Sequence, residues 1–129
     1  MKKINSLLLV DDNVAINRLN QILIEDLAVA ESVYTAENGQ VALNMIKSGQ
    51  ICPDVIITDL HMPVMDGVAF LTAYHQLSIC QKKANIFLCS DTDCSAELAQ
   101  IATLNIVEEQ LEKPISADTW QRLQSIYGQ

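Results

Sequence analysis

A chain of 129 residues, of which 50% are hydrophobic, has the size of one ordinary domain with a single core. Its formal net charge of -8 argues against a surface for DNA or for an anionic membrane, since both need clustered Lys and Arg. The apolar run at residues 7–10 is too short for a signal peptide, and no run reaches the roughly 18 residues of a membrane helix. We therefore expect a cytoplasmic protein with one domain over residues 1–129.

Five short apolar runs alternate with longer helical patterns along the chain. Strands are predicted at residues 7–10, 32–36, 55–58, 86–89 and 106–111. Ile16, Leu19, Leu23 and Leu27 recur at helical spacing, as do Val41, Leu43, Met45 and Ile46, and residues 68–77, 98–104 and 120–127 supply three more helices. This alternation predicts an α/β fold of three layers, a doubly wound parallel sheet of five strands with five helices on its two faces.

The four cysteines show no C-x-x-C spacing. Cys52, Cys80, Cys89 and Cys94 lie mostly in apolar surroundings, so the sequence favours reduced core thiols over disulfides or zinc ligands.

Polar residues follow most of the predicted strands. Asp11 and Asp12 end the first strand, Asp59 ends the third, Ser90 the fourth, and the fifth runs into Lys113. In open parallel sheets the functional crevice lies outside the carboxyl ends of the strands, where the strand order reverses. With the flavodoxin-like order 2-1-3-4-5, the first and third strands are neighbours, and three carboxylates meet there.

Clustered carboxylates repel one another, so such a site favours a bound cation. A few carboxylates, with other positions left to water and phosphate, suit Mg²⁺ better than a calcium cage. A carboxylate beside a metal ion, a hydroxyl and a lysine indicates phosphoryl transfer to that carboxylate. Each residue also has a simpler interpretation: Asp12 or Asn13 as a cap for the first helix, Ser90 as a cap or turn, and Lys113 as a solvated charge.

Four segments resemble the receiver domain of two-component response regulators. They are LLLVDDN, DVIITDLHMPVMDG, LCSD and LEKP, in that order, and the D-x-x-M-P-x-M-D-G pattern is the most specific of them. The resemblance implies that Asp59 accepts a phosphoryl group from a phosphohistidine on a sensor histidine kinase or a histidine phosphotransfer protein. It also implies that Asp12, Asp59 and the backbone carbonyl of His61 hold Mg²⁺, with Asp11 placing it through water.

The resemblance further implies that Ser90 and Lys113 bind the phosphoryl oxygens. It also implies that a downstream protein binds the face formed by the fourth helix, fifth strand and fifth helix. Asp66 and Gly67 are expected to be structural, as a turn and helix cap. Such a protein catalyses only its own phosphorylation and dephosphorylation and is otherwise not an enzyme.

Three departures from the family pattern fall on the presumed output side. Gln110 stands where the family usually has a switch aromatic, Asp91 stands where it has a small residue, and LNIVEEQ lacks the usual Gly-Ala. Since Gln gains little from apolar burial, we expect normal phosphoryl chemistry with an altered readout.

Two alternatives to a phosphorylated receiver stay open. The first is a degenerate receiver that binds proteins without phosphorylation. The second is an enzyme on the same fold. A flavin protein would need a Ser/Thr/Gly-rich phosphate loop after the first strand, where the chain has DDNVAI, and an aspartyl phosphatase would typically have Asp where His61 stands.

Overall fold

The computed structural model describes residues 2–80, 82–89 and 95–128. The strands are β1 (Ile4–Val10), β2 (Ala30–Ala36), β3 (Val55–Thr58), β4 (Asn85–Cys89) and β5 (Val107–Leu111). The helices are α1 (Val14–Asp26), α2 (Gly39–Lys47), α3 (Gly67–Gln76), α4 (Ser95–Ala102) and α5 (Ala117–Tyr127). Every predicted element is present, and the predicted bounds differ from these mostly at the ends. Within the described residues, no helix is long and apolar enough to cross a membrane.

All strand pairs are parallel, and the strand order is β2-β1-β3-β4-β5. This is the predicted flavodoxin-like arrangement. β1, β3 and β4 lie inside the sheet and are apolar and largely buried along their length, because helices cover both faces. The edge strand β5, with the sequence VEEQL, is only partly buried.

Side chains that alternate along the strands supply two separate cores. Leu8 and Val10 of β1 pack with α2, α3 and α4 on one face. Leu7 and Leu9 pack on the other face with Ile24 of α1 and with α5. Trp120, the single tryptophan of the chain, is fully buried in this second core.

The buried face of α1 coincides only in part with the apolar spacing, since Leu23 and Leu27 pack, partly buried, against the second core. Asn17, Asn20 and Ile24 face the interior, while Leu19 is 47% exposed. The apolar spacing predicted the helix correctly, and its buried face is polar near Asp11 because Asn17 donates there to the Asp11 carbonyl.

The prediction of reduced cysteines is wrong for two of the four. Cys52 and Cys80 form a disulfide across 28 residues. Cys52 precedes β3 and Cys80 follows α3, so both loops lie at the amino end of the sheet, and linear spacing cannot reveal that they meet. Cys89 is a buried thiol, as expected, and Cys94 lies outside the described residues.

Candidate functional site

Three carboxylates gather at the carboxyl ends of β1 and β3. The register pairs Val10 with Thr58, so Asp11 and Asp59 follow at the same level, and the Asp59 N–H donates to the Val10 carbonyl at 2.9 Å. Single oxygen atoms from Asp11, Asp12 and Asp59 all lie within 4.8 Å of one another. Asp11 and Asp59 are buried, whereas Asp12 is exposed, so the cluster opens to solvent on one side.

Lys113 reaches this cluster from the segment after β5. Its Nζ lies 2.7 Å from Asp11 Oδ2 and 3.1 Å from Asp59 Oδ2, and its side chain is only 10% exposed. Burial alone would lower the pKa of Lys113, but the hydrogen bonds and charges of Asp11 and Asp59 outweigh it and raise that pKa well above its usual range. The lysine is therefore a fixed cation at the site.

The loop after Asp59 is held by backbone contacts. The Leu60 N–H donates to Asp59 Oδ1 at 2.7 Å, and the Gly67 N–H donates to the Leu60 carbonyl at 2.8 Å. A Cβ on residue 67 would lie 2.4 Å from the Asp59 carbonyl oxygen, so this close approach requires glycine. Asp66 caps α3 by accepting from the Ala69 N–H at 2.8 Å, as the sequence predicted.

One residue of this loop is in an unfavourable backbone conformation. Val64 has φ of 69° and is 83% exposed. A β-branched residue in the left-handed region is an outlier, since its Cβ crowds the backbone. Val64 therefore stores strain five residues beyond Asp59.

His61 has a side-chain role that its sequence position did not reveal. Its Nε2 lies 3.0 Å from Glu97 Oε1 of α4, and both side chains are partly exposed. The hydrogen bond that the imidazole donates to Glu97 is the largest contribution that raises the pKa of His61 above its usual value. The pair joins the loop after Asp59 directly to α4.

Two predicted features of the site lie outside the described residues: Ser90 and Asp91. Gln110 is exposed on β5, so the position where the family usually has an aromatic residue carries an exposed polar side chain. Asn13, rather than Asp12, caps α1 by accepting from the Ile16 N–H at 3.1 Å. Asp12 thus has no cap function.

Sequence reasoning missed Asn17. Its side chain is buried beneath the acid cluster and donates through Nδ2 to the backbone carbonyl of Asp11 at 2.9 Å. The signal was the spacing of Asn17, Asn20 and Ile24, which defines a helical face with two amides at the end nearest the acids.

Comparison with known proteins agrees with this geometry. The response regulator receiver domain family matches residues 7–123. An uncharacterized response regulatory protein of Vibrio cholerae is 36% identical over 84 residues, which cover 54% of this chain and 31% of that protein. The chain spans less than a third of the length of the first curated relatives that it matches.

Solved structures show the same fold. The chemotaxis response regulator CheY4 of V. cholerae has a TM-score of 0.76 and 25% identity, covering 97% of this chain and 99% of that one. The receiver domain of Ssk1 from Saccharomyces cerevisiae, co-crystallised with the histidine phosphotransfer protein Ypd1, is similar with a TM-score of 0.77. That match has 19% identity and covers 99% of this chain and 91% of that one.

The parallel sheet in the order 2-1-3-4-5 carries acids at the ends of β1 and β3 and a lysine after β5, and the family match spans nearly the whole described chain. This chain therefore belongs to the response regulator receiver domain family of two-component signalling.

Proposed function

We propose that Asp59 is the phosphoacceptor of this receiver domain and takes its phosphoryl group from a phosphohistidine. The observation that carries the proposal is the pairing of Asp59 with Lys113 at 3.1 Å, beside two further carboxylates at the end of a central strand. A carboxylate at this position is reachable from solvent on the Asp12 side and is held by the Leu60 N–H. It is thus positioned as a nucleophile beside a fixed cation.

The reaction exchanges one bond at phosphorus for another. A carboxylate oxygen of Asp59 forms a P–O bond while the P–N bond to the donor imidazole breaks, and the imidazole nitrogen keeps that electron pair. Lys113 contributes a fixed positive charge where the phosphoryl oxygens arrive. The proposal assigns the Ser90 hydroxyl a hydrogen bond to the same oxygens, on the strength of the family pattern.

The donor atoms of the cluster fit Mg²⁺. They are carboxylate oxygens within 4.8 Å of one another, partly open to solvent, and Mg²⁺ prefers oxygen ligands while retaining several waters. Asp12, Asp59 and the His61 carbonyl would hold the ion, with Asp11 acting through water. When bound, the ion offsets the repulsion between the carboxylates and the phosphoryl oxygens.

The phosphodonor in this proposal is a sensor histidine kinase or a histidine phosphotransfer protein. Val14, Leu19 and Ile22 are large apolar side chains exposed on α1, and α1 begins two residues after Asp12. Exposed apolar side chains beside a charged site favour a protein rather than a free small molecule as the donor. The solved complex of the Ssk1 receiver domain with Ypd1 supports a partner of this kind.

The proposed output surface is the face formed by α4, β5 and α5. Arg122 of α5 makes two hydrogen bonds to Glu109 of β5, at 2.8 and 2.9 Å, and these join the two elements. Gln110 beside them is polar and exposed, so burial of an aromatic ring is not the means of switching here. The proposal is normal phosphoryl chemistry with an altered readout, in a single cytoplasmic receiver domain over residues 1–129.

The test is intact mass after incubation with Mg²⁺ and acetyl phosphate. We expect one phosphoryl gain that disappears in Asp59→Asn and without Mg²⁺. Asp66→Asn is the matched control, because Asn caps a helix as well as Asp and residue 66 lies outside the acid cluster. Loss of the gain in Asp66→Asn, or its persistence in Asp59→Asn, would contradict the assignment. No gain in the folded wild type would favour the alternative of a protein-binding module that works without phosphorylation.

A further inference from the structure

Asn17 is a buried amide directly beneath the acid cluster. It lies on α1, one turn after the Asn13 cap, and is 5% exposed. With Asn20, it lines a small cavity whose wall also includes Asp11, Asp59 and Lys113. Its amide thus lies on the wall of the same cavity as the residues of the proposed site.

The contact of Asn17 with Asp11 completes a set that orients this acid. The Asp11 N–H donates to the Ala36 carbonyl at 3.1 Å, and Asp11 Oδ1 accepts from the Asn13 N–H at 2.9 Å. The Asp11 carbonyl accepts from Asn17 Nδ2 at 2.9 Å. These three hydrogen bonds fix the orientation of Asp11, and its remaining carboxylate oxygen, Oδ2, contacts Lys113 Nζ at 2.7 Å.

The amide of Asn17 is only partly hydrogen-bonded within the described residues. Its Oδ1 is buried and accepts no hydrogen bond from them. A buried polar atom without a partner costs free energy, but an apolar side chain here would deprive the Asp11 carbonyl of the donor that Asn17 supplies. A polar residue kept in such a place is typical of a functional site rather than of a core.

We propose that Asn17 is a positioning residue for the phosphoryl-transfer site. By holding the Asp11 backbone, it keeps Asp11 Oδ2 on Lys113 and so keeps the lysine beside Asp59. It also sets the direction of the Asp11 carboxylate toward the Mg²⁺ position. This inference rests on the proposed function for its consequence in the reaction, but the contact among Asn17, Asp11 and Lys113 is testable without metal.

The experiment compares Asn17→Leu and Asn17→Ala with Asn20→Leu. Asn20 is the matched control, because it is buried on the same helix and lines the same cavity, yet none of the hydrogen bonds described joins it to Asp11. Urea unfolding followed by Trp120 fluorescence first shows which variants are folded. In metal-free buffer, mass spectrometry then measures how fast an amine-reactive ester labels Lys113. Calorimetric titration with MgCl₂ measures metal affinity.

We expect labelling of Lys113 to become severalfold faster in both Asn17 variants and to stay within twofold of wild type in Asn20→Leu. We expect Mg²⁺ affinity to fall about tenfold in the Asn17 variants alone, the usual effect of disturbing the groups that surround the direct ligands of a metal ion. Unchanged labelling in the Asn17 variants, or equal effects in Asn20→Leu, would overturn the inference. Wild-type protein without Mg²⁺ binding would refute the proposed function, while Asn17-specific labelling would still establish the positioning contact.

Discussion

We expect the disulfide between Cys52 and Cys80 to contribute strongly to stability without affecting the chemistry of the site. The bond closes a loop of 28 residues that contains β3, Asp59 and α3. In the chain-entropy treatment, a loop of that length restricts the unfolded chain by about 12 cal/mol/K, which is about 3.6 kcal/mol at 25 °C. For 129 residues the entropy of unfolding is about 0.27 kcal/mol/K, so the same contribution corresponds to about 13 °C in Tm.

The perturbation is the double variant Cys52→Ser with Cys80→Ser, compared with oxidised wild type. Urea unfolding followed by Trp120 fluorescence should show a free energy of unfolding lower by about 3.6 kcal/mol. Because a whole domain is stable by only about 5–15 kcal/mol, this loss is easily measured. Phosphoryl uptake at Asp59 should be unchanged in the folded variant, because the bond lies at the opposite end of the sheet.

A dithiol reductant provides the internal control. It should bring wild type to the stability of the double variant and leave the double variant unaffected. A difference below about 1 kcal/mol, or an equal effect of reductant on both proteins, would refute the loop-entropy reasoning. Disulfides in a reducing cytoplasm are usually transient and redox-active rather than structural, so the stability of reduced wild type is the value that applies to the proposed cytoplasmic location.

Two further predictions concern the site. Asp12→Asn should raise the free energy of unfolding in metal-free buffer by about 1 kcal/mol, the repulsion between two charges about 4.8 Å apart in water. It should also remove the stabilisation by Mg²⁺, which for wild type is about 2.7 kcal/mol at one hundred times the Kd. Urea unfolding in EDTA and in MgCl₂ checks both effects, and a variant that Mg²⁺ still stabilises fully would argue against Asp12 as a ligand. Val64→Gly should raise the free energy of unfolding by up to about 1 kcal/mol, because relief of roughly 1–2 kcal/mol of strain at φ of 69° exceeds the roughly 0.5–1 kcal/mol that glycine loses in chain entropy. Thermal unfolding tests this, and a lower Tm would show that the strain at Val64 is smaller than the entropy cost of glycine.

Local sequence patterns at the strand ends predicted much of the candidate site. Apolar runs that end in Asp11 and Asp59 predicted both the strands and the edge at which their carboxylates meet, because parallel strands place their carboxyl ends together. The Asp66-Gly67 pair predicted the cap of α3. The need for glycine at residue 67 became clear only from the 2.4 Å approach to the Asp59 carbonyl.

The orientation of α1 is a feature that hydrophobic spacing alone does not predict. The apolar spacing predicted a helix from Ile16, Leu19, Leu23 and Leu27. Which side of that helix faces the sheet also depends on the polar groups of the sheet that need a hydrogen-bond partner. Near Asp11 it offers a backbone carbonyl that needs a donor, and Asn17 supplies one. Hydrophobic spacing carries no information about such a polar partner.

The sequence by itself determined the class of the fold and the acids of the candidate site, because strand and helix periodicity and residues next to a strand end are local properties of the chain. The strand order was expected from the likeness to flavodoxin-like folds, and the structure has that order. Only the tertiary structure decided that Cys52 meets Cys80, that Lys113 pairs with both Asp11 and Asp59, that His61 reaches Glu97, and that Asn17 lies beneath the acids. Most of these contacts join residues far apart in the chain, and all of them depend on how the helices and loops pack against the sheet, which no spacing along the chain encodes.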